Sequence, residues 1–367
     1  MDSKKTKYKY VFMYPDIAEP TVNEIKEGKV PRERLAGYYQ LLERGWDVKI
    51  SDARWKGPLA NLRRKSKRFV TVPSLGMFRD WLPAHVIVIK DDFSLFLSLC
   101  AKLMGKKLVY LDSMFSFPKS SIRNLLLKCN LLLADRIICF SGTQADSWSQ
   151  KYRVPRHKFD VLSYGIDAEF YRNTLGKKNE ESKKIISVGR DVGRDFGILA
   201  EAIMDKDIDL YLVTLPYLLP KFLDDLANVH VKERLSYTEL MGLYQKSAIS
   251  VVPLTGELTY PSGIRAVMEA MALGKPVIAT NTPVLAEYFV DGKEIMLVKA
   301  KSTFELTSAV ENLLGAKALQ KSLVKNSHKK LLEEFTVEGY VNGLEQLLID
   351  FSKYSGYQAA SQSDDQM

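Results

Sequence analysis

The 367-residue chain has few of the residues that build disulfide frameworks and metal sites. It contains three cysteines and four histidines. Cys100, Cys129 and Cys139 lie in apolar stretches, and none of them forms the Cys-x-x-Cys spacing of a zinc or redox site. We interpret them as buried free thiols, which are typical of a reducing compartment. We therefore expect a cytoplasmic protein in which these cysteines form neither disulfides nor a zinc site.

Long apolar runs and secretion signals are also missing. The most apolar segment, Phe93–Ala101, lies between Asp91-Asp92 and Lys102, whereas a membrane-spanning helix needs roughly 20 apolar residues. The opening letters MDSKKTKYKY lack the apolar region of a signal peptide. We expect a chain that neither spans a membrane nor is exported by that route.

Positive charge is concentrated in the first half. Residues 1–175 hold 31 Lys and Arg against 18 Asp and Glu, whereas the remainder holds 22 against 26. The densest cluster lies close to Trp55, Leu62 and Phe69 and consists of Arg63, Arg64, Lys65, Lys67 and Arg68. Such a cluster could meet anionic lipid headgroups or the acceptor, or it could be a solvated basic face. RNA binding is a weaker third reading, and we expect no nucleic-acid partner.

Short β-rich runs alternate with helical patterns along the whole chain, which indicates α/β domains built on parallel sheets. The first half begins with strand Tyr8–Tyr14 and a helix from Arg32 that stops at Gly45. We predict a first Rossmann-like domain at 1–172, a polar linker at 173–183 and a second Rossmann-like domain at 184–336. A helix at 337–357 is long enough to return to the first domain, and we expect the tail 358–367 to be disordered.

The segment AISVVPLTGELTYPSGIRAVMEAMALGKPVIAT has the pattern of a phosphate site. A predicted strand enters a loop that ends at Ser262-Gly263, where a helix begins. Ser262 is a candidate N-cap, and Gly263 would let a ligand approach the backbone closely. Backbone amides at a helix start favour an anion that arrives at the carboxyl end of the strand.

Glu269 is the second notable residue of this segment, because it lies on a helix that is apolar on two sides. A buried carboxylate requires a partner. One reading is a structural ion pair with Arg265, one turn earlier. The other is that Glu269 accepts hydrogen bonds from the ribose of a nucleotide. The residues alone leave both readings open.

Four segments, quoted in chain order, resemble glycosyltransferase family 4, whose members have the GT-B architecture. They are ADRIICFSGTQAD at 134–146, VLSYGID at 161–167, SVGRDVGRDF at 187–196 and GIRAVMEAMALGKPVIAT at 263–280. The resemblance implies two Rossmann-like domains whose parallel sheets face each other across a cleft, with a C-terminal helix that crosses back to the first domain.

The resemblance also implies roles for individual residues. Glu269 would be the ribose carboxylate, and the backbone around Ser262, Gly263 and Ile264 would hold the diphosphate. Arg190, in the loop that begins at Gly189, matches the phosphate arginine of the family. Arg194 lies near the usual lysine, although the spacing is one residue short. Both arginines would stabilise the departing diphosphate without a metal, unless they pair with Asp191 and Asp195.

Two positions depart from the family pattern. Pro261 stands where a sugar-facing glutamate is common, so Glu257 or Tyr260 would have to contact the donor sugar. In the first domain, Asp112 follows the predicted strand where the family often has histidine. Asp112 could act near the acceptor as a catalytic residue, or it could cap the following turn.

These observations predict a metal-independent, retaining glycosyltransferase. It would move a sugar from a nucleotide-sugar donor to a lipid-linked, polysaccharide or other glycan acceptor, in the cytoplasm or on the inner face of a membrane. A non-catalytic GT-B relative that serves as a scaffold or partner subunit, and a nucleotide-sugar epimerase, are the alternatives. A dehydrogenase is poorly supported, because Tyr14-Pro15-Asp16 follows the first strand instead of Gly-x-Gly-x-x-Gly.

Overall fold

The computed structural model describes residues 9–14, 19–51, 75–90, 95–111, 117, 120–173 and 183–364, with side chains described up to residue 350 except at 75 and 173. The basic cluster at 63–68, Asp112 and most of the predicted linker lie outside the described residues. Among the described residues, no helix is both long enough and apolar enough to cross a bilayer. In the same ranges, no three His, Cys, Asp or Glu side chains are grouped closely enough to hold a metal ion.

The first domain contains a parallel sheet of six strands in the order β2-β1-β3-β4-β5-β6. Its strands are β1 (Tyr10–Met13), β2 (Val48–Ser51), β3 (Val86–Lys90), β4 (Lys107–Leu111), β5 (Arg136–Cys139) and β6 (Phe159–Val161). The chain places β2 on one side of β1 and then crosses to place β3 on the other side. This change of direction leaves a crevice at the carboxyl ends of β1 and β3.

The second domain repeats this plan with six parallel strands in the order β12-β11-β10-β7-β8-β9. These are β7 (Lys184–Val188), β8 (Asp209–Val213), β9 (Val229–Lys232), β10 (Ile249–Val252), β11 (Val277–Thr280) and β12 (Met296–Val298). Two parallel six-stranded sheets confirm the predicted α/β fold class.

Helices connect the strands in both domains. In the first domain they are α1 (Glu19–Lys26), α2 (Tyr38–Glu43), α3 (Leu75–Trp81), α4 (Leu95–Leu103), α5 (Ser121–Leu133) and α6 (Gly142–Tyr152). The later helices are α7 (Ala168–Asn173), α8 (Phe196–Ile203), α9 (Tyr237–Lys246), α10 (Ile264–Ala272), α11 (Pro283–Tyr288), α12 (Thr303–Gly315), α13 (Lys317–Glu334) and α14 (Val337–Asp364). Short 3-10 helices occupy Arg32–Leu35, Arg156–Lys158, Pro216–Leu218 and Lys221–Asp225.

Each sheet is covered by helices on both faces, so its strands are apolar on both sides. In β1, Phe12 packs in one core and Val11 in the core on the opposite face. The second sheet is divided in the same way, with Ile186 and Ile185 of β7 on opposite faces. This arrangement explains why the strands read as continuous apolar runs rather than as alternating patterns.

The last helix returns to the first domain, as the resemblance implied. Val341, Leu344 and Leu348 of α14 are buried in the same core as Tyr10 and Phe12. The backbone of α14 continues to Asp364, which is further than the predicted end at residue 357 and enters the stretch for which we predicted disorder.

The helix predicted to run from Arg32 to Gly45 is interrupted in the structure. Ala36 and Gly37 have φ values of 45° and 91°, which separate the 3-10 helix at Arg32–Leu35 from α2. A Cβ added to Gly37 would lie 2.6 Å from Cδ2 of Leu344. The close approach of α14 therefore requires glycine here, and the prediction of one continuous helix was wrong.

Candidate donor-binding cleft

A cavity of about 640 Å³ lies between the two domains at the carboxyl ends of both sheets. Lys90 ends β3 and Val188 ends β7, and both residues line the cavity. The other charged residues in its walls are Glu33, Arg34, Arg190, Asp191, Arg194, Arg265 and Glu269. A cleft of this size can enclose a ligand as large as a nucleotide.

Helix α10 begins at the second-domain wall. Gly263 is its N-cap, has a φ of 84° and makes no side-chain cap hydrogen bond. A Cβ at this position would approach Val252 Cγ1 to 3.0 Å, so glycine suits both the dihedral angle and the space. The prediction that Ser262 caps the helix was wrong, because its buried hydroxyl donates instead to Asp191 Oδ1 at 2.6 Å.

Arg194 is the most enclosed cation of the cleft, with a side chain that is only 4% exposed. Its Nε donates to Asp191 Oδ2 at 3.0 Å, so the alternative pairing with Asp191 is present. Asp195 instead caps α8, where it accepts from the Ile198 amide. The guanidinium lies directly over Gly189, where a Cβ would come within 2.1 Å of Nε.

The ion pair with Asp191 does not satisfy Arg194 completely. Among the described residues, its buried Nη1 has no hydrogen-bond partner. Burial opposes ionisation of Asp191, but Arg194 and hydrogen bonds from Ser262 and Gly193 together hold the pKa of its carboxyl below the usual value. The pair is therefore charged, and the guanidinium beside the cleft keeps one buried donor without a partner among the described residues.

Arg190 lies further out and is exposed, and its Nη2 donates to the carbonyl oxygen of Glu233. It lines the same cavity as Arg194, so the structure brings the two predicted phosphate arginines together. They differ in burial, since Arg194 is enclosed and Arg190 is largely solvated. A charge interaction is stronger in the enclosed position.

Glu269 is buried in the wall of the cleft, with 4% of its surface exposed. Its Oε1 accepts from Arg265 Nε at 2.8 Å and from the Tyr171 hydroxyl at 3.1 Å. Arg265 is in turn bonded to the hydroxyl of Tyr237. The structural ion pair considered from the sequence is thus present, and Glu269 also lines the cavity.

Glu33 is the principal cleft residue that the sequence did not indicate. It comes from the 3-10 helix of the first domain, and burial raises the pKa of its carboxyl to about 7. Its Oε2 accepts from the Asp167 amide at 3.2 Å, and its Oε1 lies 3.1 Å from the Tyr171 hydroxyl. Glu33 therefore shares Tyr171 with Glu269 across the domain boundary.

The position of Tyr171 between two carboxyl groups has a consequence for protonation. A phenol has one proton and can donate to one carboxylate at a time. If the Tyr171 hydroxyl donates to Glu269, then Glu33 must carry a proton to make the second contact a hydrogen bond. Glu33 is therefore the group best placed to hold a proton, in agreement with its raised pKa.

The predicted donor residues fall into two groups. Gly189, Arg190, Arg194, Gly263 and Glu269 line the cleft. The other three, namely Tyr260, Ser262 and Ile264, are buried and are not among the lining residues. The Tyr260 hydroxyl lies 3.4 Å from Asp191 Oδ1, so its side chain supports the arginine loop instead of facing the cavity. Glu257, the other candidate for a sugar contact, is exposed and does not line it.

Several lining residues of the first domain were not predicted, namely Arg34, Lys90, Phe140, Tyr164 and Tyr340. They come from five separate parts of the chain and meet only in the folded structure. One signal was available, because Lys90 directly follows the predicted strand Val86–Ile89, and strand ends are where open α/β sheets bind ligands.

The chain is similar to glycosyltransferases in both sequence and structure. Residues 221–330 match the family model described as glycosyl transferases group 1. A protein of Methanocaldococcus jannaschii named uncharacterized glycosyltransferase MJ1178 is 26% identical over 168 residues, which cover 46% of this chain and 44% of that protein. The match thus spans less than half of the relative's length.

Several solved structures share the fold of nearly the whole chain. Anabaena HepE in complex with UDP and glucose superposes with a TM-score of 0.67 at 16% identity, over 94% of this chain and 100% of HepE. Sucrose-phosphate synthase from Thermosynechococcus elongatus gives 0.65 at 16% identity, over 94% and 100%. The chain therefore has the two-domain GT-B fold, and residues 221–330 of its second domain are similar to the glycosyl transferases group 1 family.

Proposed function

We propose that the protein is a metal-independent, retaining glycosyltransferase that uses a nucleotide-sugar donor. The observation that carries this proposal is the second-domain wall of the cleft. There Arg194, Gly263 at the start of α10 and Glu269 line one cavity, and the buried Nη1 of Arg194 has no hydrogen-bond partner among the described residues. These are the groups that a phosphate and a ribose require, and HepE, which has the same fold, was crystallised with UDP-glucose.

In the proposed complex, the diphosphate lies between Gly263 and the two arginines, and the ribose hydroxyls donate to Glu269. The bond between the anomeric carbon and the phosphate oxygen breaks, and the acceptor oxygen bonds to the same face of the sugar. The acceptor proton passes to the departing phosphate oxygen. Arg190 and Arg194 stabilise the charge that develops on the leaving group, which is the role a metal has in other transferases.

We propose that the acceptor enters from the first-domain wall, where Arg34 and Lys90 face the cavity. A lipid-linked acceptor, a polysaccharide or another glycan would fit this site. Asp112, which we predicted to be near the acceptor, remains a prediction. The cytoplasmic and peripheral location also remains a proposal, together with the membrane contact of the cluster Arg63, Arg64, Lys65, Lys67 and Arg68.

The proposal is tested by a thermal-shift screen of nucleotide sugars, followed by transfer assays with lipid-linked and soluble acceptors. We expect at least one nucleotide sugar to raise the melting temperature, because a ligand that binds only the folded state stabilises it. NMR of the product should show the anomeric configuration of the donor, and activity should persist in EDTA. Inversion would contradict the retaining mechanism, and loss of activity in EDTA would contradict metal independence.

One observation favours a second candidate, a non-catalytic relative. Pro261 is buried at the position where the family commonly has the sugar-facing glutamate. A protein of this kind would bind nucleotide but would neither transfer nor hydrolyse any nucleotide sugar. Binding without turnover across the full screen would therefore support a scaffold or partner subunit.

A further inference from the structure

Two neighbouring helices of the first domain expose an unusual amount of apolar surface. Helix α4 exposes Phe96, Leu99 and Leu103 at spacings of three and four residues. Helix α5 exposes Ile122, Leu125 and Leu132 at spacings of three and seven residues, which keep them on one helical face. Leu103 is 87% exposed and Ile122 is 72% exposed. Each helix thus carries an apolar stripe that faces solvent.

The two stripes lie on the same side of the first sheet. Leu97 and Ala101 of α4 and Leu127 of α5 enter one core, on the face of the sheet that also holds Trp148. Between the helices, the Ser98 hydroxyl donates to Asn130 Oδ1 at 2.6 Å in a buried contact. The helices therefore pack side by side, and their opposite faces together form one outward surface, which we call the α4/α5 face.

The α4/α5 face differs from the rest of the described surface. Of the 16 large apolar side chains that the described residues expose, six belong to these two helices. Of the other ten, Leu82 lies beside Lys106 next to these helices, and the remaining nine lie singly on separate elements, for example Tyr217, Val290 and Phe304 in the second domain. Single exposed apolar residues are normal, whereas a contiguous set marks a surface that is covered by a partner.

Charge identifies the kind of partner. Helices α4 and α5 contain Lys102, Arg123 and Lys128 and no acidic residue, although Lys102 is paired with Asp135, which lies just after α5. Two further lysines lie near the C-terminal ends of the helices. Lys106 Nζ donates to the Leu82 carbonyl, and Lys158 Nζ donates to the Leu132 carbonyl. Leu82 is itself 68% exposed and extends the apolar surface beside Lys106.

We propose that the α4/α5 face binds an anionic bilayer, with both apolar stripes inserted among the headgroups and the basic residues around them in contact with lipid phosphates. An amphipathic surface of leucine, isoleucine and phenylalanine with flanking lysine and arginine suits this interface. The proposal concerns described residues that are separate from the cluster at 63–68. It does not depend on the donor assignment.

A second copy of this chain fits the face less well. Contact between two α4/α5 faces would bury their apolar stripes but would also bring like charges together without any carboxylate from either helix pair. Anionic lipid supplies both the apolar interior and the negative charge.

The position of the face relates it to the cleft. Helix α4 follows β3, whose last residue Lys90 lines the cavity, so the N-terminal end of α4 lies near the cleft edge of the domain. A bilayer against the α4/α5 face would therefore lie beside the cleft opening. This placement would allow a lipid-anchored acceptor to reach the cavity without leaving the membrane, a consequence that rests on the proposed function.

The test is sedimentation of the full chain with phosphatidylcholine vesicles that either contain or lack phosphatidylglycerol. The variant is Leu99→Gln/Leu103→Gln/Leu125→Gln, and the matched control is Tyr217→Gln/Val290→Gln/Phe304→Gln, which removes three exposed apolar side chains from the second domain. We expect wild-type protein and the control to bind anionic vesicles. The α4/α5 variant should bind them at least about tenfold more weakly. Added salt should weaken wild-type binding.

Hydrogen exchange of the wild-type protein provides a second measurement that does not depend on the variant's folding. Anionic vesicles should slow exchange in α4 and α5 but not in α12. The proposal is overturned if wild-type protein does not bind anionic vesicles, or if both triple variants bind equally well. It is also overturned if the wild-type protein is a dimer without lipid and the α4/α5 variant is a monomer, because the face would then join two copies.

Discussion

The two walls of the cleft are built differently. In the second-domain wall, each acidic residue is paired with an arginine of its own segment: Asp191 with Arg194, and Glu269 with Arg265. In the first-domain wall, the carboxyl group of Glu33 contacts a backbone amide and a phenol. The second-domain wall therefore holds fixed charges. In the first-domain wall, Glu33 holds a proton near neutral pH, because burial raises the pKa of its carboxyl to about 7.

This difference indicates a division of roles between the domains. Arginine–carboxylate pairs that are assembled within one domain are ready before a ligand arrives, which lowers the cost of binding an anion. Glu33 instead depends on Asp167 and Tyr171, which lie more than 130 positions away in the sequence. Its environment exists only when the parts of the chain around the cleft have come together.

The largest effect is expected at Arg194. Replacing it with alanine should lower kcat by about 10²–10³-fold, because a buried cation that stabilises the leaving group is lost. Gly189→Ala should reproduce much of this loss without changing the arginine, since the added Cβ would displace its guanidinium. Steady-state kinetics measures both variants. An unchanged kcat in Arg194→Ala would show that the second-domain wall does not carry the transition-state charge.

Glu269→Ala should weaken the binding of the cognate nucleoside diphosphate by about 10–100-fold, because hydrogen bonds to a charged group are lost. Calorimetry with the 2′,3′-dideoxy nucleotide provides the control. This ligand should bind wild-type protein and variant with similar affinity if Glu269 contacts the ribose. If both ligands lose affinity equally, Glu269 acts through Arg265 and the ribose assignment fails.

Glu33→Gln should alter how stability depends on pH. In the wild type the folded state holds a proton that the unfolded chain has released, between the ordinary pKa of 4.5 and the raised pKa of about 7. Stability from this group is therefore complete below pH 4.5 and is lost as the pH rises through about 7.

Glutamine keeps a neutral side chain that can donate to Tyr171, so Glu33→Gln should remove this pH dependence. At pH 8 the variant should be more stable than the wild type by on the order of 1–3 kcal/mol. Urea unfolding at pH 5 and pH 8 measures the difference, and Glu201→Gln, on the exposed side of α8, serves as the control. Parallel pH profiles for wild type and Glu33→Gln would show that Glu33 is not the titrating group.

The smallest effect is expected at Arg190. It is solvated and bonded to the Glu233 carbonyl, so Arg190→Ala should lower kcat by about tenfold or less. A rise in KM without a change in kcat would assign Arg190 to ground-state binding. An effect as large as that of Arg194→Ala would remove the distinction between the buried and the exposed arginine.

Much of the second-domain wall could be predicted from the sequence, because its parts are local. A strand, a glycine loop and a helix with a buried glutamate follow one another between residues 249 and 272, and the structure has them in that order. The error at Ser262, by contrast, has a non-local cause. Its hydroxyl donates to Asp191, a residue 71 positions earlier, and that contact competes with capping.

The first-domain wall could not be predicted in this way. The helical pattern from Arg32 onward gives no sign of the break at Ala36 and Gly37, because the break accommodates Leu344, which comes about 300 residues later. Glu33 likewise reads as an ordinary polar residue of a helix. Its burial depends on partners from α7 and α10, and no local pattern reports contacts of that range.

The return of α14 has a consequence for synthesis of the protein on the ribosome. Domains usually fold in order as they emerge, the first one earliest. Here Val341, Leu344 and Leu348 complete the core around Tyr10 and Phe12, so the first domain to be translated stays unfinished until the last helix is made. The core around its strands is completed only after almost the entire chain has been translated. A nascent protein stalled before residue 337 would therefore expose this hydrophobic core to chaperones.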